Sequence, residues 1–173
     1  SIPLPSKNVI PLHLPTPKDG DIFELCPAAI SVTHEIGARI SHYGGAALII
    51  DYGHDKQGFG DTIQALQSHQ YTDILENPGQ ADITAHVDFS TLNTSLKEVG
   101  TAVFGPTTQC QFLKALGIEV RAEQLGKSAK PEQKANIEAG VHRLIAADEM
   151  GHLFKVLCAA PQNSPILAGF DKS

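Results

Sequence analysis

The chain has 173 residues, 42% of them hydrophobic, which is enough for one domain with a sizeable core; no apolar run reaches membrane-spanning length. Its formal net charge of −6 argues against non-specific nucleic-acid binding, which needs a basic footprint. Three widely spaced cysteines, Cys26, Cys110 and Cys158, provide neither a disulfide framework nor metal-ligand spacing, so a reducing compartment is expected and a bound metal is not.

Residues 1–26 read as an extended linker or edge segment, because Pro3, Pro5, Pro11, Pro15 and Pro17 break any regular element, and no secretory signal pattern is present. Within this segment Ile22-Phe23-Glu24-Leu25 predicts a short strand. Pro27 suits a first helical turn, and Ile30, Thr33, Ile36 and Ile40 follow at helical spacing until Gly44-Gly45. The run Ala46 to Ile50 predicts a central parallel strand covered on both faces. Ligands in open α/β sheets bind beyond the carboxyl ends of such strands, which makes Asp51, Tyr52 and His54 candidates for chemistry, the alternative being the start of a polar loop.

Asp55 to Val87 reads as a long loop with a short helix at Thr62 to Gln67, capped by Asp61. Loops of that length commonly face a substrate, and Ile74, Leu75, Ile83 and Val87 can anchor this one. Asp88 then fits the N-cap of a helix carrying Phe89, Leu92, Leu96 and Val99 on one face and ending at Gly100. Ala102 to Phe104 predicts a strand stopped by Gly105-Pro106. Thr108 with Gln111 forms a capping box for a helix bearing Phe112, Leu113 and Leu116. Further helices are expected from about Glu119 to Leu125 and from Pro131, the latter with Ile137, Val141, Leu144 and Ile145 inward. Leu153 to Cys158 predicts the last strand, and residues 161–173 a loose tail.

Polar groups are densest around the long loop: Asp51, Tyr52, His54, His69, Asp73, Asp82, Thr84, His86 and Asp88. His86 and Asp88 share a face if the backbone there is extended. A small metal-dependent hydrolase using His54, His69 and His86 is one rival reading, although no established ligand motif supports it. Ser68, His69 and Asp73 could form a triad on paper but lack a nucleophile elbow. Gly58-Phe59-Gly60 reads as a turn rather than a phosphate cradle.

Several stretches carry a family resemblance. They are Glu24-Leu25-Cys26-Pro27, Gly44 to His54, Pro78 to Phe89, Gly105 to Gln109, Phe112 to Ile118 and Met150 to Leu157. In that order they resemble the MidA-like methyltransferases, bacterial and mitochondrial proteins linked to assembly of respiratory complex I. The resemblance implies an α/β fold, the carboxyl-terminal part of a class I, Rossmann-like methyltransferase using S-adenosylmethionine. Residues 27–160 would form that half, with a helical insertion at 108–149 before the last strand. Ala46 to Ile50 would be the fifth strand of a seven-stranded sheet, and Ala102 to Phe104 and Leu153 to Ala160 the sixth and seventh.

The mitochondrial members methylate arginine in a complex I core subunit. The resemblance therefore implies a protein substrate, with Asp51, Tyr52 and His54 in the catalytic role and His69, Asp82, His86 and Asp88 binding substrate. Bacterial cytoplasm and mitochondrial matrix are both compatible locations. The family's glycine-rich cofactor turn is not found, so the cofactor-binding residues stay unassigned. The expectation is a chain inactive alone, working with a missing amino-terminal half or self-associating. The rival is a non-catalytic assembly module that has lost the cofactor half.

Overall fold

A computed structural model describes residues 10–68, 70–76 and 78–170. Helix α1 (Pro27–Tyr43) starts at a proline whose missing N–H would find no partner in the first turn anyway. It stops at Gly44, whose positive φ of 78° turns the chain while its N–H donates to the Ile40 carbonyl at 2.9 Å. Strand β1 (Ala47–His54) follows. Residues 10–26, the described part of the segment before α1, form no strand, the expected one at Ile22–Leu25 included. Instead they are strapped down at single points, with the Ile22 carbonyl accepting from Gly60 N at 2.9 Å.

The expected long loop folds into a small antiparallel sheet of β2 (Gln64–Gln67), β3 (Gln70–Thr72) and β4 (Asp82–Thr84), in the order β3-β2-β4. The helix expected at Thr62 to Gln67 is therefore a strand. Gln-Ala-Leu-Gln has helical propensity, but propensity is worth only tenths of a kcal/mol per residue. Ala65 is fully buried here, opposite Thr72 on one side and Ile83 on the other, and that burial decides the conformation.

The short strand β5 (Val87–Asp88) runs directly into α2 (Phe89–Glu98), and β6 (Thr101–Thr108) follows. Strand β6 does not stop at Gly105-Pro106; it continues past a register shift between Phe104 and Thr107. Helices α3 (Gln109–Ala115), α4 (Ile118–Gly126), α5 (Pro131–Ile145) and the single turn α6 (Met150–Leu153) follow, and β7 (Phe154–Pro161) completes the sheet, starting after Leu153 rather than at it. Thr108 and Gln111 form the expected capping box of α3. On α5, Ile137, Val141 and Ile145 are half-buried and Leu144 is 36% exposed, so the expected inward face is only partly covered.

The main sheet has the order β5-β1-β7-β6. Strand β7 is antiparallel to both its neighbours, and β1 is parallel only to β5, through Gly53 and His54. Helices α1 and α2 cover one face, where Ile40, Phe89, Leu92, Leu96, Leu157 and Ala159 form the core and Ala47 and Ile49 pack against it. On the opposite face Val156, Cys158 and Ala160 are buried where α3 and α6 lie over β6 and β7. Phe170 adds to that cover, its ring 5.2 Å from Phe112 and 6.1 Å from Phe104. Next to them on the same face, Leu48 and Ile50 are 51% and 45% exposed. Strand β1 is thus well covered on one face only; α6 also contacts the strand, but Leu48 and Ile50 on the second face stay half-exposed. Its main partner is the antiparallel β7 rather than a parallel neighbour. The fold is of the expected mixed α/β class.

Candidate functional site

Gly53 is the hinge on which the site is built. A side chain there would fall on the Val87 carbonyl, so only glycine lets β5 lie against the carboxyl end of β1. That close approach pairs His54 with Asp88 in register, His54 Nδ1 lying 3.9 Å from Asp88 Oδ1. The same His54 Nδ1 is buried and has no hydrogen-bond partner. Asp88 caps α2 by accepting from Thr91 N at 3.1 Å, and its second oxygen accepts from the Thr91 hydroxyl and from Gln57 Nε2 at 3.0 Å. Gln57 thereby ties the segment after β1 to the start of α2.

A second group of bonds forms the facing wall. Glu24 accepts from Thr62 N at 2.8 Å and, through its other oxygen, from the Thr62 hydroxyl. Thr62 Oγ1 in turn accepts from His86 N at 3.0 Å. Three segments far apart in sequence are therefore joined side by side. Between the walls lie two adjoining cavities of about 270 and 470 Å³, both lined by Phe23, Glu24, His54, His86 and Asp88. The smaller is completed mainly by polar residues and Phe59; the larger is completed mainly by apolar side chains, among them Ile22, Leu25, Ile63 and Leu92, together with Asp61 and Thr91.

Of the residues expected from sequence, His54, His86 and Asp88 meet at this cleft. Asp51 and Tyr52 stand just before it on β1 and line neither cavity. Asp51 Oδ1 accepts from Tyr52 N at 2.8 Å, and the Tyr52 ring packs edge-on against His86 and Phe154 at 5.9 and 5.6 Å. Tyr52 therefore supports His86 from behind. Asp82 is exposed on β4, in register with Leu66, and does not reach the cleft. His69 lies outside the described residues. The cleft also contains Glu24, Gln57, Phe59 and Thr62, none of which was singled out as a site residue. The local signal for Glu24 was a carboxylate set between Phe23 and Leu25, but nothing in that segment reveals its contact with Thr62.

Two carboxylates in one cavity favour a cationic ligand, and two imidazoles beside them can accept or relay a proton. Among the described residues no group of three or more His, Cys, Asp or Glu side chains is placed to hold a metal ion. No helix among them is long and apolar enough to cross a membrane.

Comparison with known proteins bears on this cleft. Residues 3–107 match a family model described as "Putative S-adenosyl-L-methionine-dependent methyltransferase". Among curated proteins, the mitochondrial protein arginine methyltransferase NDUFAF7 of Xenopus tropicalis is 39% identical over 158 residues, covering 88% of this chain and 36% of its own length. Its Danio rerio counterpart is 42% identical over 134 residues, covering 76% of this chain and 31% of its own length. The chain thus spans about a third of the length of the curated relatives it matches. A crystal structure of a Burkholderia thailandensis protein bound to S-adenosyl-homocysteine superposes with a TM-score of 0.70 at 29% identity, covering 83% of this chain and 38% of that one. A second structure from the same bacterium gives a TM-score of 0.73, also at 29% identity, over 83% of this chain and 40% of the other. With more than half of its residues matched by the family model, the chain belongs to this family of S-adenosyl-L-methionine-dependent methyltransferases.

Proposed function

We propose that the chain supplies the carboxyl-terminal, substrate-side part of a protein-arginine methyltransferase. The observation that carries this reading is the cleft at the end of β1, where Glu24 and Asp88 face a cavity shared with His54 and His86. A bound S-adenosylmethionine would supply the electrophilic methyl group. Methylation would join a guanidinium nitrogen to that carbon as its bond to sulfur breaks, leaving S-adenosylhomocysteine, and would release one proton from the nitrogen. The chain's own residues hold the cation by charge and keep an imidazole in reach of the proton. Asp51 and Tyr52 act from behind the cleft, Tyr52 by fixing the His86 ring.

We further infer that the main cofactor cradle is built by residues outside this chain. Two strand-to-helix junctions are the natural places for the cofactor's carboxylate, because free helix N–H groups attract anions. At β5–α2 the junction is closed by the anionic Asp88, and at β6–α3 by the Thr108–Gln111 box. Neither suits a carboxylate. The substrate protein is read as a respiratory complex I subunit, in a mitochondrial matrix or a bacterial cytoplasm. The bare face around Leu48 and Ile50 favours a second reading, an assembly module that docks without catalysis.

Calorimetric titration of the folded chain with S-adenosylmethionine tests this. No saturable heat is expected from the chain alone, whereas mixing with the amino-terminal part of the Xenopus tropicalis relative restores binding and methyl transfer to an arginine peptide. One-to-one binding by the chain alone would remove the divided-enzyme reading. Binding without transfer in the mixture, and no complex I subunit recovered on an affinity column, would favour the assembly module.

A further inference from the structure

We propose that Glu24 is the residue that selects a guanidinium over an ammonium at this cleft. The proposal rests on the arginine reading above and deepens it. A carboxylate recognises a guanidinium through two parallel hydrogen bonds, which requires both oxygens to be presented in a fixed plane with free acceptor capacity. Glu24 meets that requirement. Thr62 donates from its backbone N–H to one oxygen and from its hydroxyl to the other, so the plane is set and each oxygen keeps a further lone pair. Thr62 is itself anchored by the donor from His86 N at 3.0 Å, so the carboxylate is oriented before any ligand arrives.

Asp88 is differently engaged. It accepts from the Thr91 N–H and hydroxyl and from Gln57, and it also faces His54, so it contributes charge more than directional bonds. Phe23 and Phe59 line the same cavity as Glu24, edge to face with centroids 6.2 Å apart. Aromatic faces stack on a planar guanidinium, and a strongly hydrated ammonium gains less from them. Lys56 also lines this cavity but forms no ion pair with either carboxylate among the described residues. A purely structural Glu24 would brace Thr62 and show no preference between cations.

The test is a nuclear magnetic resonance titration of this chain, without cofactor, using acetyl-arginine amide and acetyl-lysine amide as probes. The arginine probe is expected to move the His54 and His86 ring resonances and the Glu24 carboxylate carbon along one saturation curve. The lysine probe should bind about tenfold more weakly. Glu24→Gln is nearly isosteric and can still accept from Thr62 N, and it should weaken arginine binding by about tenfold or more. Equal arginine binding by the unmutated chain and the Glu24→Gln variant overturns this proposal alone. Equal binding of both probes also overturns it. If neither probe binds the unmutated chain, the arginine reading of the cleft fails and this proposal falls with it. Should Glu24→Gln not fold, the carboxylate carbon in the unmutated chain decides, since a resonance that stays still during saturation overturns the assignment.

Discussion

Asp88 closes a helix and furnishes a binding cleft at the same position. Its capping bond to Thr91 N predicts that Asp88→Ala destabilises the fold by about 1–2 kcal/mol, read from urea unfolding, with Gln57 losing its anchor as well. Asp88→Asn can retain the cap, so a much smaller loss of stability is expected together with weaker binding of cationic probes. Gly53→Ala carries a different cost: the new methyl would strike the Val87 carbonyl, so β5 must shift. We expect about 1–3 kcal/mol of destabilisation, with His54 and Asp88 resonances moving together. The cysteines differ for a reason of burial. Cys26 is exposed, whereas Cys158 is buried in β7 and its thiol is pushed above the ordinary value of 9.0 by desolvation. At pH 8 a thiol reagent should label Cys26 quickly and Cys158 only on unfolding. Because its folded pKa is raised, any contribution of Cys158 to stability is intact below pH 9.0 and declines as pH rises above that value.

At the scale of elements, the caps and stops were legible because they are local. Pro27, Asp88 and the Thr108–Gln111 box each act within one helical turn, and all three stand where their spacing in the sequence indicates. The Gln64–Gln67 segment was misread because its partners, Thr72 and Ile83, come from elsewhere in the chain and outweigh a weak helical preference. The continuation of β6 through Gly105-Pro106 was hidden for the same reason, since Thr107 and Thr108 are held by pairing with Val156 and Lys155. The junction of α2 and β6 is bridged by a buried side chain, Thr101, whose hydroxyl donates to the Leu96 carbonyl at 2.7 Å. Thr101→Val keeps the shape but removes that donor, and a loss of about 1–2 kcal/mol in thermal or urea unfolding is expected.

For the whole molecule the informative surface is the one left uncovered. Strand β1 pairs with β5 only at Gly53 and His54, so the same edge from Ala47 to Tyr52 has no strand partner among the described residues. Leu48 and Ile50 stand beside that edge with half their surface in water. An open edge next to an apolar face promotes association. Sedimentation of the chain should therefore show concentration-dependent self-association, and Ile50→Lys should reduce it without lowering the unfolding temperature appreciably. An unchanged sedimentation profile in that variant would assign the association to another surface.

By itself the sequence determined the start of α1 at Pro27, the Asp88 cap of α2, the Thr108–Gln111 box of α3, the apolar runs of β1 and β7, and the position of His54 at the carboxyl end of β1. Each of these follows from periodicity, capping chemistry or a strand's carboxyl end, all of which are encoded within short windows. Only the tertiary structure decided that Glu24 and Thr62 complete the cleft, that Asp51, Tyr52 and Asp82 do not line it, and that the long loop is a small sheet. Those outcomes depend on contacts between residues tens of positions apart. Such contacts are set by burial and pairing across the fold, and no local pattern records them.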